Sequence, residues 1–433
     1  MKMMTNDLRE NSRNTGGART GRILKSTLLL AAVMAVGQLI PLQSFAQTLD
    51  AEAVVKLLQR LDAQDEKLKK QDAKLQNQDA ELKDLRTKVS AAPAVEAMPA
   101  LPPPSFPNLQ FHGFGDVTYH ASDRMGEKNA FALGELDIFV TSQIAENLSV
   151  LSETVFAAGD DNNFGLDIER LLLQYKPKDW LNIEAGRFHT AIGYYNTAYH
   201  HGTWFQNAIG RPGFLKYEDE GGMVPVHTVG VSIHGEVPFA SKLGLQYFVE
   251  VGNGREYNTS TGNNPVQSAV DNNNFKAFNV AFTSRPECLP GLQFGAGAYH
   301  DTVTGSGFPR IDEWMFHEHV VYKNSAWEVL TEGYLFRHQS PGGPAHYTTA
   351  ALAQVARKFG LITPYVRLVY VNAAKNDFIY ASLLNNPGAH YGPGVGVRYD
   401  FSGLAALKVQ FDRSFDTGTR GVNELTLQAC FTF

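Results

Sequence analysis

The densest run of residues able to touch a solute is "HTAIGYYNTAYHHGTWFQNAIGRPGFLKYEDEGGMVPVH", His189 to His227. Its rings, Tyr194, Tyr195, Tyr199, Trp204 and Phe205, offer flat faces for sugars or other small organic solutes. Arg187 just before it, His189, His200, His201, Arg211 and Glu220 supply the charges and imidazoles that would set charge preference in a narrow passage. Roughly half of these rings are expected to pack the loop against a wall instead, because aromatic side chains carry large buried area.

A second set is spread along extended segments. Strand alternation puts Asp116, Glu135, Asp137, Asp167 and Glu169 on one face, while Arg170 breaks the alternation of its segment. The bland role for such a row is a solvated, salt-bridged wall, and it outweighs a defined binding ladder. His317 and His319, in "HEH", share a face about 7 Å apart by strand rise. A metal needs a third or fourth ligand that the sequence does not identify, so no metal and no other cofactor is expected. No Gly-x-Ser-x-Gly elbow occurs, and no catalytic residue or enzymatic activity is expected.

These residues need a scaffold, and the chain divides into four parts. Residues 1–46 carry Arg9, Arg13, Arg19, Arg22 and Lys25, then "STLLLAAVMAVGQLI", then small residues around Ala46. This reads as a secretory signal peptide, its apolar run being shorter than the roughly 20 residues a membrane span requires. Residues 50–90 repeat "QDEKLKK", "QDAKLQN", "QDAELKD" with Val54, Leu61, Leu68, Leu75, Leu82 and Val89 seven apart, the heptad of a short α-helical coiled coil. Residues 91–108, "AAPAVEAMPALPPPSFPN" by composition, form a Pro-rich extended linker.

From residue 109 to 433 the period changes to two, and about sixteen segments of about ten residues alternate with turn clusters. Their connections alternate short and long: "AEN", "KPKD", "PFASK", "RPECLPG", "KNSA", Gly360 and "SGLA" against "SDRMGEKN", "GDDNN", the His189–Pro225 stretch, "GREYNTSTGNNPVQSAVDNN" and others. Loop lengths sorted by parity indicate an all-β transmembrane β-barrel of about 16 antiparallel strands, with short periplasmic turns and long extracellular loops. Parity also turns Leu425, Leu427, Ala429, Phe431 and Phe433 to lipid and Thr426, Gln428, Cys430 and Thr432 to the lumen. Cys288 falls in a short turn and Cys430 on the last strand, too far apart for a disulfide.

The export signal, coiled coil, Pro-rich linker and sixteen-strand barrel together resemble the trimeric Gram-negative porins with a periplasmic coiled coil, of the phosphate-selective or dicarboxylate type. "IERLLLQYKPKDWLNIEAGRFHTAIGY" looks like the family's strand, turn, strand element ahead of a long third loop. The resemblance implies an inward-folded third loop as the constriction, a homotrimer in outer-membrane lipid, and passage of small hydrophilic solutes. Where a phosphate-selective member would gather cations, this loop sets Arg187, Arg211 and Lys216 against Glu218, Asp219 and Glu220. Residues 109–433 carry 32 Asp and Glu against 23 Lys and Arg, which does not favour an anion-selective lumen.

The expected function is thus an outer-membrane porin. The rival is a structural envelope protein with a plugged barrel, its coiled coil tethering the membrane to peptidoglycan. No nucleic-acid partner is expected.

Overall fold

The computed structural model describes residues 106–433 except 160–162, 200–202, 259–263, 268, 272, 306, 308, 381–386 and 417–419, together with residues 66, 70, 73, 80 and 83. Those last five are helical and exposed, and they occupy outer positions of the heptad. The expected signal peptide and the remainder of the coiled coil and of the linker up to residue 105 lie outside the described residues, as do His200 and His201.

The strands are β1 (Asn108–Ser122), β2 (Ala130–Ala145), β3 (Leu148–Ala158), β4 (Phe164–Lys178), β5 (Leu181–His189), β6 (His227–Glu236), β7 (Leu245–Asn253), β8 (Arg255–Asn258) and β9 (Asn264–Gln267). They continue as β10 (Lys276–Ser284), β11 (Leu292–Val303), β12 (Ile311–Lys323), β13 (Trp327–Gln339), β14 (Ala345–Arg357), β15 (Ile362–Ala373), β16 (Gly388–Tyr399), β17 (Ala405–Asp416) and β18 (Val422–Thr432). All but β8 and β9 pair antiparallel with their neighbours into one closed barrel, sealed where β1 meets β18. That closure leaves no barrel strand without a neighbour on either side. The number of barrel strands is the sixteen expected.

The alternation is equally plain. On β18, Leu425, Leu427, Ala429 and Phe431 are exposed, whereas Gln428 and Cys430 are buried. Exposed aromatic residues collect at two levels: Trp180, Trp327, Phe359, Tyr399, Phe401 and Phe433 at the short-turn end, and Phe131, Phe164, Trp314, Tyr347, Tyr391 and Phe415 at the long-loop end. An outward apolar band between two aromatic girdles is the surface a bilayer accepts. No described helix is long and apolar enough to cross a membrane. Cys288 is exposed, Cys430 is buried, and both are free thiols.

Three irregularities aim side chains inward. A register shift between Gly115 and Val117 lets Asp116 accept from the Glu135 amide. Another shift, opposite Glu153 and Thr154, places both Glu169 and Arg170 off the lipid side, which accounts for the broken alternation at Arg170. Alternation from Ala185 would then turn Arg187 outward. At Gly186 the backbone takes φ 138, and a β-carbon there would stand 2.0 Å from the Leu171 carbonyl, so only glycine makes the bend that brings Arg187 inside.

β8 and β9 form a separate two-stranded hairpin in the connection between β7 and β10. Sequence alone predicts plain loop over this stretch. Its pairing rests on tertiary anchoring: Tyr257 N–H donates to the Thr304 carbonyl at 2.8 Å, and Arg255 is wholly buried.

Candidate functional site

The third long loop, between β5 and β6, is folded into the barrel. Its neck is closed by Thr190 N–H donating to the Val226 carbonyl at 3.0 Å, and Asn196 Nδ2 donates to both the Thr190 and Val226 carbonyls. Beyond the neck, Ile192, Tyr195, Tyr199, Phe214, Leu215, Met223 and Val224 are buried in one apolar cluster with the wall residues Met315, Leu330, Tyr334 and Phe336.

The wall grips the loop mainly through backbone. On one side, Ala191 N–H donates to Glu250 Oε2 at 3.0 Å, Gly193 N–H to His317 Nδ1 at 3.1 Å and Tyr195 N–H to Glu332 Oε1 at 2.6 Å. Further round the barrel, Arg367 Nη1 donates to the Gly210 carbonyl at 2.9 Å, Arg398 Nη1 to the Trp204 and Gln206 carbonyls at 2.5 and 3.0 Å, and Lys408 Nζ to the Thr203 carbonyl. Gln410 accepts from Ile209 N–H at 2.7 Å and returns a bond to its carbonyl at 3.1 Å. The loop therefore spans from β7 on one wall to β17 on the other.

The candidate side chains take different places in this frame. Tyr195 and Tyr199 are 0 % and 2 % exposed, packed edge to face at 5.2 Å inside the loop core, so they belong to the packing share of the rings and offer no face to a solute. Burial pushes the Tyr195, Tyr199 and Tyr217 hydroxyls above the usual tyrosine range, which keeps them protonated. Tyr194 is only partly buried and lies with Ala198, Arg285, Gln293 and Lys323 around a cavity of about 470 Å³ at the short-turn end. Trp204 lies under the Arg398 guanidinium at 4.6 Å, and Phe205, 57 % exposed, meets Phe114 edge to face at 5.5 Å. Arg211 is spent on the loop itself: it lies over the Tyr217 and Tyr195 rings at 4.8 and 5.5 Å and donates to the Leu215 carbonyl.

Of the wall carboxylates, Glu135, Asp167 and Glu169 come together on one cavity, and Asp116 and Asp137 are not among its lining. At the long-loop end, Glu135, Asp167, Glu169, Glu218 and Glu220 line a cavity of about 410 Å³ together with Arg187, His227 and Tyr217. Arg187 Nη1 stands 3.5 Å from Asp167 and Nη2 3.7 Å from Glu169, and His227 Nε2 is 2.8 Å from Glu169. His189 Nε2 is 3.7 Å from Glu153, which also takes the Arg170 guanidinium. Asp116 accepts from Gln428 at 3.0 Å, and Asp137 is wholly buried. This is the salt-bridged wall, with a surplus of acid where it faces the cavity. His317 and His319 are both buried and inward, His317 serving as acceptor for Gly193 N–H.

Sequence reasoning did not single out Arg367, Arg398 and Lys408. Parity alone would have turned all three inward on successive strands.

No protein-family model matches the chain, and no curated protein matches it in sequence. Solved structures do. An anion-selective porin from Comamonas acidovorans aligns with TM-score 0.55 at 10% identity over 76% of this chain and 100% of its own. The outer-membrane channel DcaP of Acinetobacter baumannii aligns with TM-score 0.51 at 12% identity over 76% and 97%, and a trimer form of OmpT, an outer-membrane protein of Vibrio cholerae, with 0.51 at 11% over 76% and 99%. At such identities the likeness speaks for the fold, and the fold of this chain is the sixteen-stranded barrel of the outer-membrane porins.

Proposed function

We propose that the protein is an outer-membrane pore of a Gram-negative bacterium, through which small hydrophilic solutes diffuse past a constriction formed by the third loop. One observation carries this reading. The third loop is folded into the lumen of a closed barrel and is tied round half of its circumference, from Glu250 on β7 through His317 and Glu332 on β12 and β13 to Arg367, Arg398 and Lys408 on β15–β17. A loop so held narrows a lumen without sealing it by sheet pairing, and passage needs no chemistry at any residue.

Charge follows from the same contacts. The three lumen cations of β15–β17 are engaged by loop carbonyls, and the cavity at the long-loop end sets Glu135, Asp167, Glu169, Glu218 and Glu220 against Arg187 and His227. Cations therefore outcompete anions at the outer entrance, which argues against phosphate as the preferred solute. A homotrimer with a periplasmic coiled coil from residues 50–90, exported by the signal at 1–46, completes the reading. Its support is the seven-residue repeat, the Arg-rich and apolar leader, and the trimer form of OmpT among the similar structures.

The test is single-channel conductance of the purified protein in a planar bilayer, with reversal potential under a salt gradient. Stepwise openings in threes, with a cation-directed reversal potential, are expected. A silent bilayer containing inserted, folded protein would favour the plugged, structural barrel, a reading with its own support in the complete burial of Tyr195, Leu215 and Met223.

A further inference from the structure

Three long loops meet at one carbonyl. Met223, near the return of the third loop to β6, is wholly buried, and its carbonyl oxygen accepts from Tyr380 Oη at 2.8 Å and from Arg255 Nη1 at 3.3 Å. Arg255 opens β8 in the loop between β7 and β10, and Tyr380 belongs to the loop between β15 and β16. Both side chains are 0 % exposed, although each comes from a loop at the long-loop rim.

Behind the two donors runs a continuous set of charged contacts. Arg255 Nη2 donates to Glu313 Oε2 on β12 at 2.5 Å, and the same oxygen is 2.7 Å from His338 Nε2 on β13. His338 Nδ1 in turn is 2.9 Å from both carboxylate oxygens of Asp377, whose Oδ1 accepts the amides of Ile379 at 3.0 Å and Tyr380 at 3.2 Å. An imidazole between two carboxylates fills both contacts only with a proton on each nitrogen, which sets two cations against two anions. A buried ionic set without such balance would not repay its loss of water. A second anchor, Asp301 on β11, accepts the Arg255 backbone amide at 2.6 Å.

We propose that this set is a clamp that fixes the width of the constriction. The loops bearing Arg255 and Tyr380 position the third loop at Met223, and Glu313, His338 and Asp377 hold those two residues to the wall. The proposal rests on the pore reading and deepens it: the narrowest part is governed by three loops acting together, and a change confined to the β15–β16 loop alters conduction though it touches no solute.

The experiment compares wild type with Tyr380→Phe and Asp377→Asn in planar bilayers, using protein whose folding is verified by heat-modifiable migration in detergent gels. Tyr380→Phe removes one hydroxyl and leaves the packing intact. The expected result is higher single-channel conductance with added open-channel noise in both variants at unchanged gel migration. Wild-type conductance and noise in both folded variants would overturn the clamp. If wild type is silent and Tyr380→Phe conducts, free diffusion through the resting pore is overturned and the clamp stands; silence of all the folded proteins would overturn both.

Discussion

The ring of Phe433 lies over Gly113 so closely that a β-carbon on Gly113 would stand 2.4 Å from its Cζ atom and 2.9 Å from the Asp137 carbonyl. The same two residues exchange backbone hydrogen bonds at 3.0 and 2.9 Å, where the last strand seals against the first. Gly113→Val is expected to lower the barrel's stability by about 1–3 kcal/mol, the usual range for overpacking. Replacing Phe433 by Leu in that background should restore part of the loss. The fraction of protein migrating as the compact form after graded heating reads both; equal losses in the single and double variants would show that the ring is not the obstacle.

Glu332 joins the loop to its wall by accepting Tyr195 N–H and Tyr334 Oη, each at 2.6 Å. Glu332→Ala leaves two buried donors without an acceptor, at about 1–3 kcal/mol for each. Glu332→Gln keeps one acceptor oxygen and should lose less. Limited tryptic cleavage after Lys216 in the folded barrel is the measurement: it is expected to speed up in the order wild type, Gln, Ala.

Asp167 and Glu220 are the exposed carboxylates of the outer cavity. Asp167→Asn with Glu220→Gln should move the zero-current potential in a salt gradient toward that of an unselective pore. An unmoved potential would mean that ions do not pass this wall.

At the rim, Asp123 accepts the Asn423 backbone amide at 2.8 Å and its side-chain amide at 2.7 Å. Those bonds, the backbone one first, hold the Asp123 carboxyl below its ordinary value of 3.8. A carboxyl with a lowered value supports the folded state above the ordinary value and ceases to do so as pH falls through the lower one. The Asn423 side-chain amide resonances should therefore shift on acidification with a midpoint below 3.8. A shift centred at or above that pH would contradict the contact.

Much of this architecture was written in parity. The period of two and the sorted loop lengths located the barrel and its sixteen strands. Sequence gave no warning of the β8–β9 hairpin, because two four-residue strands in an Asn- and Ser-rich stretch carry too few alternations to register, and their stability comes from the distant Thr304 and Glu313. Nor did it disclose the partners of Arg367, Arg398 and Lys408. A main-chain carbonyl has no signature in the sequence, so the direction of each cation was legible and its target was not. Tyr195 and Tyr199 illustrate the same limit: their aromatic character was plain, but only the fold determines whether a ring lines a passage or fills a core.

That Arg367, Arg398 and Lys408 hold peptide oxygens at Thr203, Trp204, Gln206 and Gly210 has an evolutionary consequence. Peptide oxygens survive almost any substitution of the residues that bear them. Side chains along this arc can drift, or be exchanged by an engineer, while their anchorage persists, so descendants of one barrel can acquire new diets without first redesigning the wall.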